Sequence, residues 1–261
     1  MNVPLKNDIE IIYEENVMGK PNQTKNNTKE NRDNVKPFRE EDIPKIINYL
    51  ADRIRYCRKH EELIRRRDFA LFIMGINIGL RVSDLISLKW RDIFDETWEF
   101  REGIKYKPKK QQRLNDDGTK RVKIILLKYN DAFKKAVLDY KKYCNPTDLD
   151  SYLFPSRERR NEHICDEVVR HLITEVIAKP LNIKYNVNAH SLRKTFARVR
   201  YDHAEDKEAT LILLMELFGY SDLDATRRYL CLTEEEIKQL LHSVNLGLDV
   251  INEIGEIERV L

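Results

Sequence analysis

The sequence predicts a mainly α-helical fold with one small antiparallel β-hairpin, and three observations carry that prediction. Apolar residues recur at the three- and four-residue spacing of a helix face over most of the chain beyond residue 37. One stretch, residues 97–127, instead places β-forming residues on either side of a turn. Helix-start residues punctuate the helical runs at Ser83-Asp84 and at Thr233.

Taken in order, residues 1–36 are expected to be a flexible N-terminal segment, because 19–36 (GKPNQTKNNTKENRDNVK) hold almost no apolar side chain. A folded domain is expected over 37–232. Ile43, Ile46, Ile47, Leu50 and Ile54 share one face of a first helix, and Leu63, Ala70, Leu71 and Met74 one face of a second, which Gly75 and Gly79 interrupt. Ser83 and Asp84 open a short helix, VSDLISLKW, that ends before Asp92. TWEFREGIKYK (97–107) and TKRVKIILL (119–127) flank NDDG, which puts Asp117-Gly118 at a hairpin tip. Helices follow at 129–143, 164–178, 190–204, 207–218 and 233–245. The last begins with a capping box, Thr233 to Glu236, and carries Ile237, Leu240, Leu241 and Val244 on one stripe of an acidic helical tail, 233–261.

Composition narrows the function. The 261 residues are 41% hydrophobic, enough for a core, and no stretch approaches the roughly 18 apolar residues of a membrane span. The start, MNVPLKNDIEIIYEENV, is acidic where a secretory signal is basic, and Cys57, Cys144, Cys165 and Cys231 form no C-x-x-C pair. A cytoplasmic protein with reduced thiols and no metal site is the expectation. Phosphate-loop, dinucleotide-binding and zincin motifs are all missing, so no cofactor is implied.

The formal net charge of +3 conceals a division. Residues 1–36 hold six basic and six acidic side chains, and residues 233–261 two basic and seven acidic, leaving 39 basic against 31 acidic between 37 and 232. Within that basic middle, KYKPKKQQRLNDDGTKRVK (105–123) carries eight Lys/Arg, a strip able to follow a phosphate backbone. Lys105, Lys109, Lys110 and Arg113 are its candidate DNA contacts.

Three boxes then stand in a telling order: GLRVSDL at 79–85, AHSLRKTFA at 189–197, and LFGYSDLDATRRYL at 217–230, with the lysine-rich hairpin between the first two. His190 and Arg193 lie three apart at a helix start and project from one face. Together these boxes resemble the catalytic domain of the tyrosine recombinases, the phage integrase family. Gly79, Leu80, Arg81, Ser83, Asp84 and Leu85 match the first-arginine motif, and His190, Leu192, Arg193, Thr195, Phe196 and Ala197 the H-x-L-R-H-T-F-A box, with Lys194 at its second His. Tyr229 follows Tyr220 by nine residues, the family's interval from the L-G-H-S histidine to the nucleophile. The resemblance covers about residues 37–232.

That resemblance implies the family's catalytic-domain fold and double-stranded DNA as partner. It further implies that Tyr229 attacks a phosphodiester to give a 3′-phosphotyrosyl link while Arg81 and Arg193 clamp the non-bridging oxygens. His190 would take the tyrosine proton, and a hairpin lysine would protonate the leaving 5′ oxygen. KYKPKKQQR favours Lys107 for that role, with Lys105, Lys109 and Lys110 left open. Tyr220 departs from the family's His or Trp. It can donate a hydrogen bond but has no cationic form, so hydrogen bonding and packing are its expected roles. Trp90 and Trp98 are expected to pack, and Asp84 to orient Arg81.

Family members usually carry a helical DNA-clamping domain ahead of the catalytic one, whereas about 36 residues precede this one. Weak DNA binding, or help from an accessory DNA-binding protein, is the corresponding expectation. The acidic tail is expected either to dock on a neighbouring protomer of a tetrameric assembly or to fold back on its own core. Two rival functions fit the same residues: relaxation of supercoils in the manner of a type IB topoisomerase, and DNA binding by a regulator that cleaves poorly.

Overall fold

A computed structural model describes residues 9–15, 35–107, 113–114, 120–220 and 222–232. Among these, the chain forms β1 (Ile9–Glu15), α1 (Ile43–Arg55), α2 (Glu62–Ile78), α3 (Val82–Ile86), β2 (Gly103–Tyr106), β3 (Arg113–Leu114), β4 (Lys120–Lys128), α4 (Asp131–Cys144), α5 (Asp166–His171), α6 (His190–Asp202), α7 (Lys207–Phe218) and α8 (Leu223–Leu230). The mainly helical class with a small antiparallel sheet holds as predicted.

Helix α2 is the axis of the core. Residues Ala70 to Gly75 are buried on every side, since α1, α4 and α6 pack around it. The run does not stop at Gly75 as the sequence suggests. Helix α6 lies so close that a Cβ on Gly75 would sit 2.8 Å from Leu192 Cδ1, and the glycine lets the two helices approach without interrupting either. Gly79 ends α2 in the left-handed region at φ 68°, open to an L-residue only at a cost. Polar caps start the later helices: Asn130 accepts from Phe133 N, Asp206 from Ala209 N and Asp222 from Ala225 N.

The sheet has the order β1-β4-β2, all antiparallel, with β3 also pairing to β4. Ile104 and Tyr106 turn inward and Lys105 outward, the alternation a half-buried strand requires. Residues 97–102 do not join the strand as expected. A single bridge, Phe94 to Phe100, closes a tight loop in which Trp98 adopts φ 62° and packs on Trp90 and Phe94. Asp117-Gly118 lies outside the described residues, as does the helix expected at 233–245.

Three further differences have local causes. Residues 9–15, inside the segment expected to be flexible, pair with β4 from Ile9↔Leu127 to Glu15↔Arg121. Their alternation (IEIIYEE) is legible only once β4 is known to offer an edge. The short helix of the first box stops at Ile86, and a separate 3₁₀ turn, Trp90–Asp92, follows it. The helix expected over 164–178 passes from α5 into a π-helical turn, Leu172–Ala178. No helix among the described residues is long and apolar enough to cross a membrane.

Candidate active site

The boxes converge where the end of α2, the start of α6, the end of α7 and the last turn of α8 meet. Left-handed Gly79 turns the chain sharply, so that Arg81, extended at φ −63° and ψ 149°, caps α3 with its side chain directed back across the domain. Arg193 stands on α6, one turn after His190, and is 3% exposed. Its Nη1 donates to Gly79 O at 2.6 Å, and its guanidinium lies 4.1 Å from the Phe218 ring centroid. The first and second boxes are thus tied by a backbone carbonyl, and the third supplies the aromatic surface.

Arg81 reaches the third box as well. Its Nη2 donates to Phe218 O at 3.1 Å, its Nη1 to the Tyr106 hydroxyl, and Asp84 Oδ2 stands 3.9 Å from Nη1. Asp84 stands beside the Arg81 fork, and Tyr106, an aromatic between two hairpin lysines, enters the site. The alternation of Ile104 and Tyr106 against Lys105 was the signal that could have found it. Arg193 Nη2 is buried and has no hydrogen-bond partner among the described residues. The same guanidinium lies against the phenols of Tyr106 and Tyr229.

Tyr229 sits in the last turn of α8, a helix absent from the sequence reading. Its ring packs on Phe218 at 5.1 Å and Tyr220 at 5.4 Å, and Lys194 Nζ lies 5.0 Å from its centroid. Burial pushes the Tyr229 phenol above its ordinary pKa, and the Arg193 and Arg81 guanidinium groups pull it back. Tyr106 is shifted upward in the same way, by burial opposed by the same two arginines. Two phenols and two guanidinium groups thus share one site.

Tyr220 follows Gly219, the left-handed end of α7 (φ 72°), and packs edge-on against Phe218 at 6.1 Å, in keeping with a packing role. His190 opens α6 with its backbone N–H held by Asn188 Oδ1 at 2.8 Å. Lys194 is 1% exposed, with Nζ donating to Val35 O at 2.6 Å and lying 3.9 Å from Cys231 Sγ. It anchors the segment before α1 beneath the end of α8. Cys231 itself ends α8 in the left-handed region at φ 60°.

Lys105 and Lys107 are exposed on the hairpin. Lys109 and Lys110 lie outside the described residues, and Arg113 is placed only as a β3 residue paired with Arg121. Among the described residues no group of three His, Cys, Asp or Glu could hold a metal ion. What the arrangement can do chemically is hold a dianionic oxygen centre between two guanidinium forks with a phenol beside it.

Known proteins resemble this chain in sequence and fold. The chain is 27% identical over 204 residues to YoeC of Bacillus subtilis, described as a probable integrase/recombinase, covering 77% of this chain and 92% of that protein. It is 26% identical over 212 residues to the tyrosine recombinase XerA of Pyrococcus furiosus, covering 81% of this chain but only 62% of that longer protein. Its fold matches the XerH site-specific recombinase crystallised with difH substrate before cleavage, with a TM-score of 0.52 and 18% identity over 79% of this chain and 53% of that one. The phage integrase family profile matches residues 36–236, and the chain belongs to that family, the tyrosine recombinases.

Proposed function

We propose that the protein is a site-specific DNA recombinase that cuts and rejoins duplex DNA through a covalent 3′-phosphotyrosyl intermediate, without metal or ATP. The observation that carries this reading is the convergence of the Arg81 and Arg193 guanidinium groups on the buried phenol of Tyr229. The DNA-bound state of the XerH relative supports duplex DNA as the partner.

In the proposed reaction the Tyr229 oxygen attacks the scissile phosphorus and its proton passes to His190. The phosphorus–O5′ bond breaks, and the 5′ oxygen leaves with a proton from Lys107. Arg81 and Arg193 spread four or more N–H donors over the non-bridging oxygens, where charge grows at the pentavalent stage. The Arg193 and Arg81 guanidinium groups also draw down the phenol of Tyr229 against its burial, so they serve nucleophile and transition state together. One phosphodiester is exchanged for one phosphotyrosine, so a second 5′ hydroxyl can reverse the step with no nucleotide consumed. Exchange between two duplexes requires four such cuts, which fits a tetramer on DNA. Lys105, Lys109, Lys110 and Arg113 would hold the adjoining backbone.

The test is a nicked suicide substrate with excess chelator present. A covalent protein–DNA adduct that disappears in Tyr229→Phe is the expected result. No adduct on any substrate the protein binds would refute cleavage and favour a DNA-binding regulator.

A further inference from the structure

Strand β2 leads directly into Lys107, and its last residue is Tyr106. Tyr106 is 4% exposed and registers opposite Ile125 of β4, so its ring is fixed by the sheet. Its hydroxyl accepts from Arg81 Nη1, while Arg81 Nη2 donates to Phe218 O at the end of α7. Each terminal nitrogen of the Arg81 fork is therefore pinned, one by the lysine hairpin and one by the segment just before Gly219 and Tyr220. A guanidinium held at both ends cannot turn about its Cζ–Nε bond, and its remaining N–H groups point in fixed directions. The Arg193 guanidinium also acts on the same phenol.

We propose that Tyr106 is a positioning residue for strand cleavage: its hydroxyl sets the orientation of the Arg81 fork and, through the same bond, holds Lys107 in register with the arginine pair. This rests on the recombinase reading above. A packing role alone would be met by the ring, which the sheet already buries. The hydroxyl is the part that meets the arginine pair, accepting from Arg81 Nη1 and lying within reach of the Arg193 guanidinium. Tyr106 does not touch the reacting phosphorus. It acts by removing the freedom of a group that does, the kind of preorganisation on which electrostatic catalysis depends.

Tyr106→Phe keeps the ring and deletes the bond. A hydrogen bond to a charged group of this kind corresponds to about a tenfold change in rate. The expected result is a roughly tenfold slower single-turnover cleavage of a suicide substrate, with DNA affinity unchanged within about twofold and the melting temperature nearly constant. In an Arg81→Ala background the same substitution is expected to have a smaller effect, since the Arg81 bond is already gone and only the Arg193 contact remains to be lost. Wild-type cleavage by Tyr106→Phe, or an undiminished effect in the Arg81→Ala background, would overturn the proposal. A second measurement does not require activity. In the DNA-free protein the Arg81 Nη resonances are expected to be resolved by NMR in the wild type and averaged in Tyr106→Phe. Identical signals in the two proteins overturn the proposal even if cleavage is never detected, whereas failure of the wild type to form an adduct overturns the recombinase reading and leaves the NMR comparison to decide the role of Tyr106.

Discussion

Gly79→Ala is the substitution with the largest consequence per atom added. The new Cβ would stand 2.4 Å from Phe196 Cδ1 and 2.6 Å from Cε1, and φ at this residue is 68°. Forcing an L-residue into the left-handed region costs about 1 kcal/mol, and overpacking a filled site about 1–3 kcal/mol. The expected loss is therefore roughly 2–4 kcal/mol, which in a domain of this size lowers the melting temperature by about 5–15 °C. Function suffers separately. Phe196 lies one turn beyond Arg193 on α6, and Gly79 O is the acceptor that fixes Arg193 Nη1. Moving either disturbs that bond, worth about 2 kcal/mol for a charged donor, so cleavage is expected to slow about 30-fold beyond any loss of folded protein. Thermal melting and single-turnover cleavage, both at a temperature where the variant is fully folded, separate the two effects. Gly75→Ala is the comparison: its Cβ also crowds α6, at Leu192, but it lies in helical backbone, gains about 1 kcal/mol of helix propensity and carries no left-handed cost. A Gly79→Ala protein that melts within about 2 °C of the wild type and cleaves normally would refute the packing argument.

Other outcomes follow from the same geometry. Lys107→Ala is expected to slow cleavage of ordinary DNA but not of a substrate with sulfur in place of the 5′-bridging oxygen, because a thiol, with a pKa of about 8.5, departs without an acid. If Lys105, Lys109 or Lys110 shows that pattern instead, the assignment to Lys107 fails. Asp68, 5% exposed, faces Arg67 Nη2 at 2.8 Å and Arg53 Nη1 at 3.5 Å, so Asp68→Ala leaves two poorly exposed arginines uncompensated. A destabilisation of about 3–5 kcal/mol is expected from urea unfolding. Burial raises the phenols of Tyr106, Tyr140 and Tyr229, and raises Tyr185 to about 12. Unfolded phenols release their protons near pH ~10, so above that pH the folded state binds more protons. Stability is then full below about pH 10 and falls above it, by about 1.4 kcal/mol per pH unit for each core phenol that stays protonated, Tyr140 being the most deeply buried case. Urea midpoints that stay level from about pH 10 to 11 would contradict this.

The helical class and the three boxes were legible because each rests on local pattern: apolar spacing for α1 and α2, and Gly79-Leu80-Arg81 for the turn that delivers the first arginine. What could not be seen depends on contacts distant in sequence. Tyr106 is one aromatic among lysines until Arg81, 25 residues earlier, is placed against its hydroxyl. Lys194 looks like a surface residue of an ordinary helix, yet its partner is Val35 O, 159 residues earlier. Helix α8 escaped notice because LDATRRYL is too short for periodicity to show, and it is held by the Asp222 cap and by Leu230 in the core. Residues 9–15 read as part of a tail because a strand's reason for being one lies in its partner.

The left-handed end of α8 bears on how Tyr229, the proposed nucleophile, is held. Tyr229 stands two residues before Cys231, whose φ of 60° costs a non-glycine residue about 1 kcal/mol, on a helix of eight residues. Fraying begins at helix ends and is cheapest in short helices. Leu230, fully buried, lies between Tyr229 and Cys231, so the turn that carries Tyr229 is seated by Leu230 in the core and closed by the left-handed Cys231. Cys231→Gly is expected to remove that backbone cost and leave the end of α8 more stable by about 1 kcal/mol.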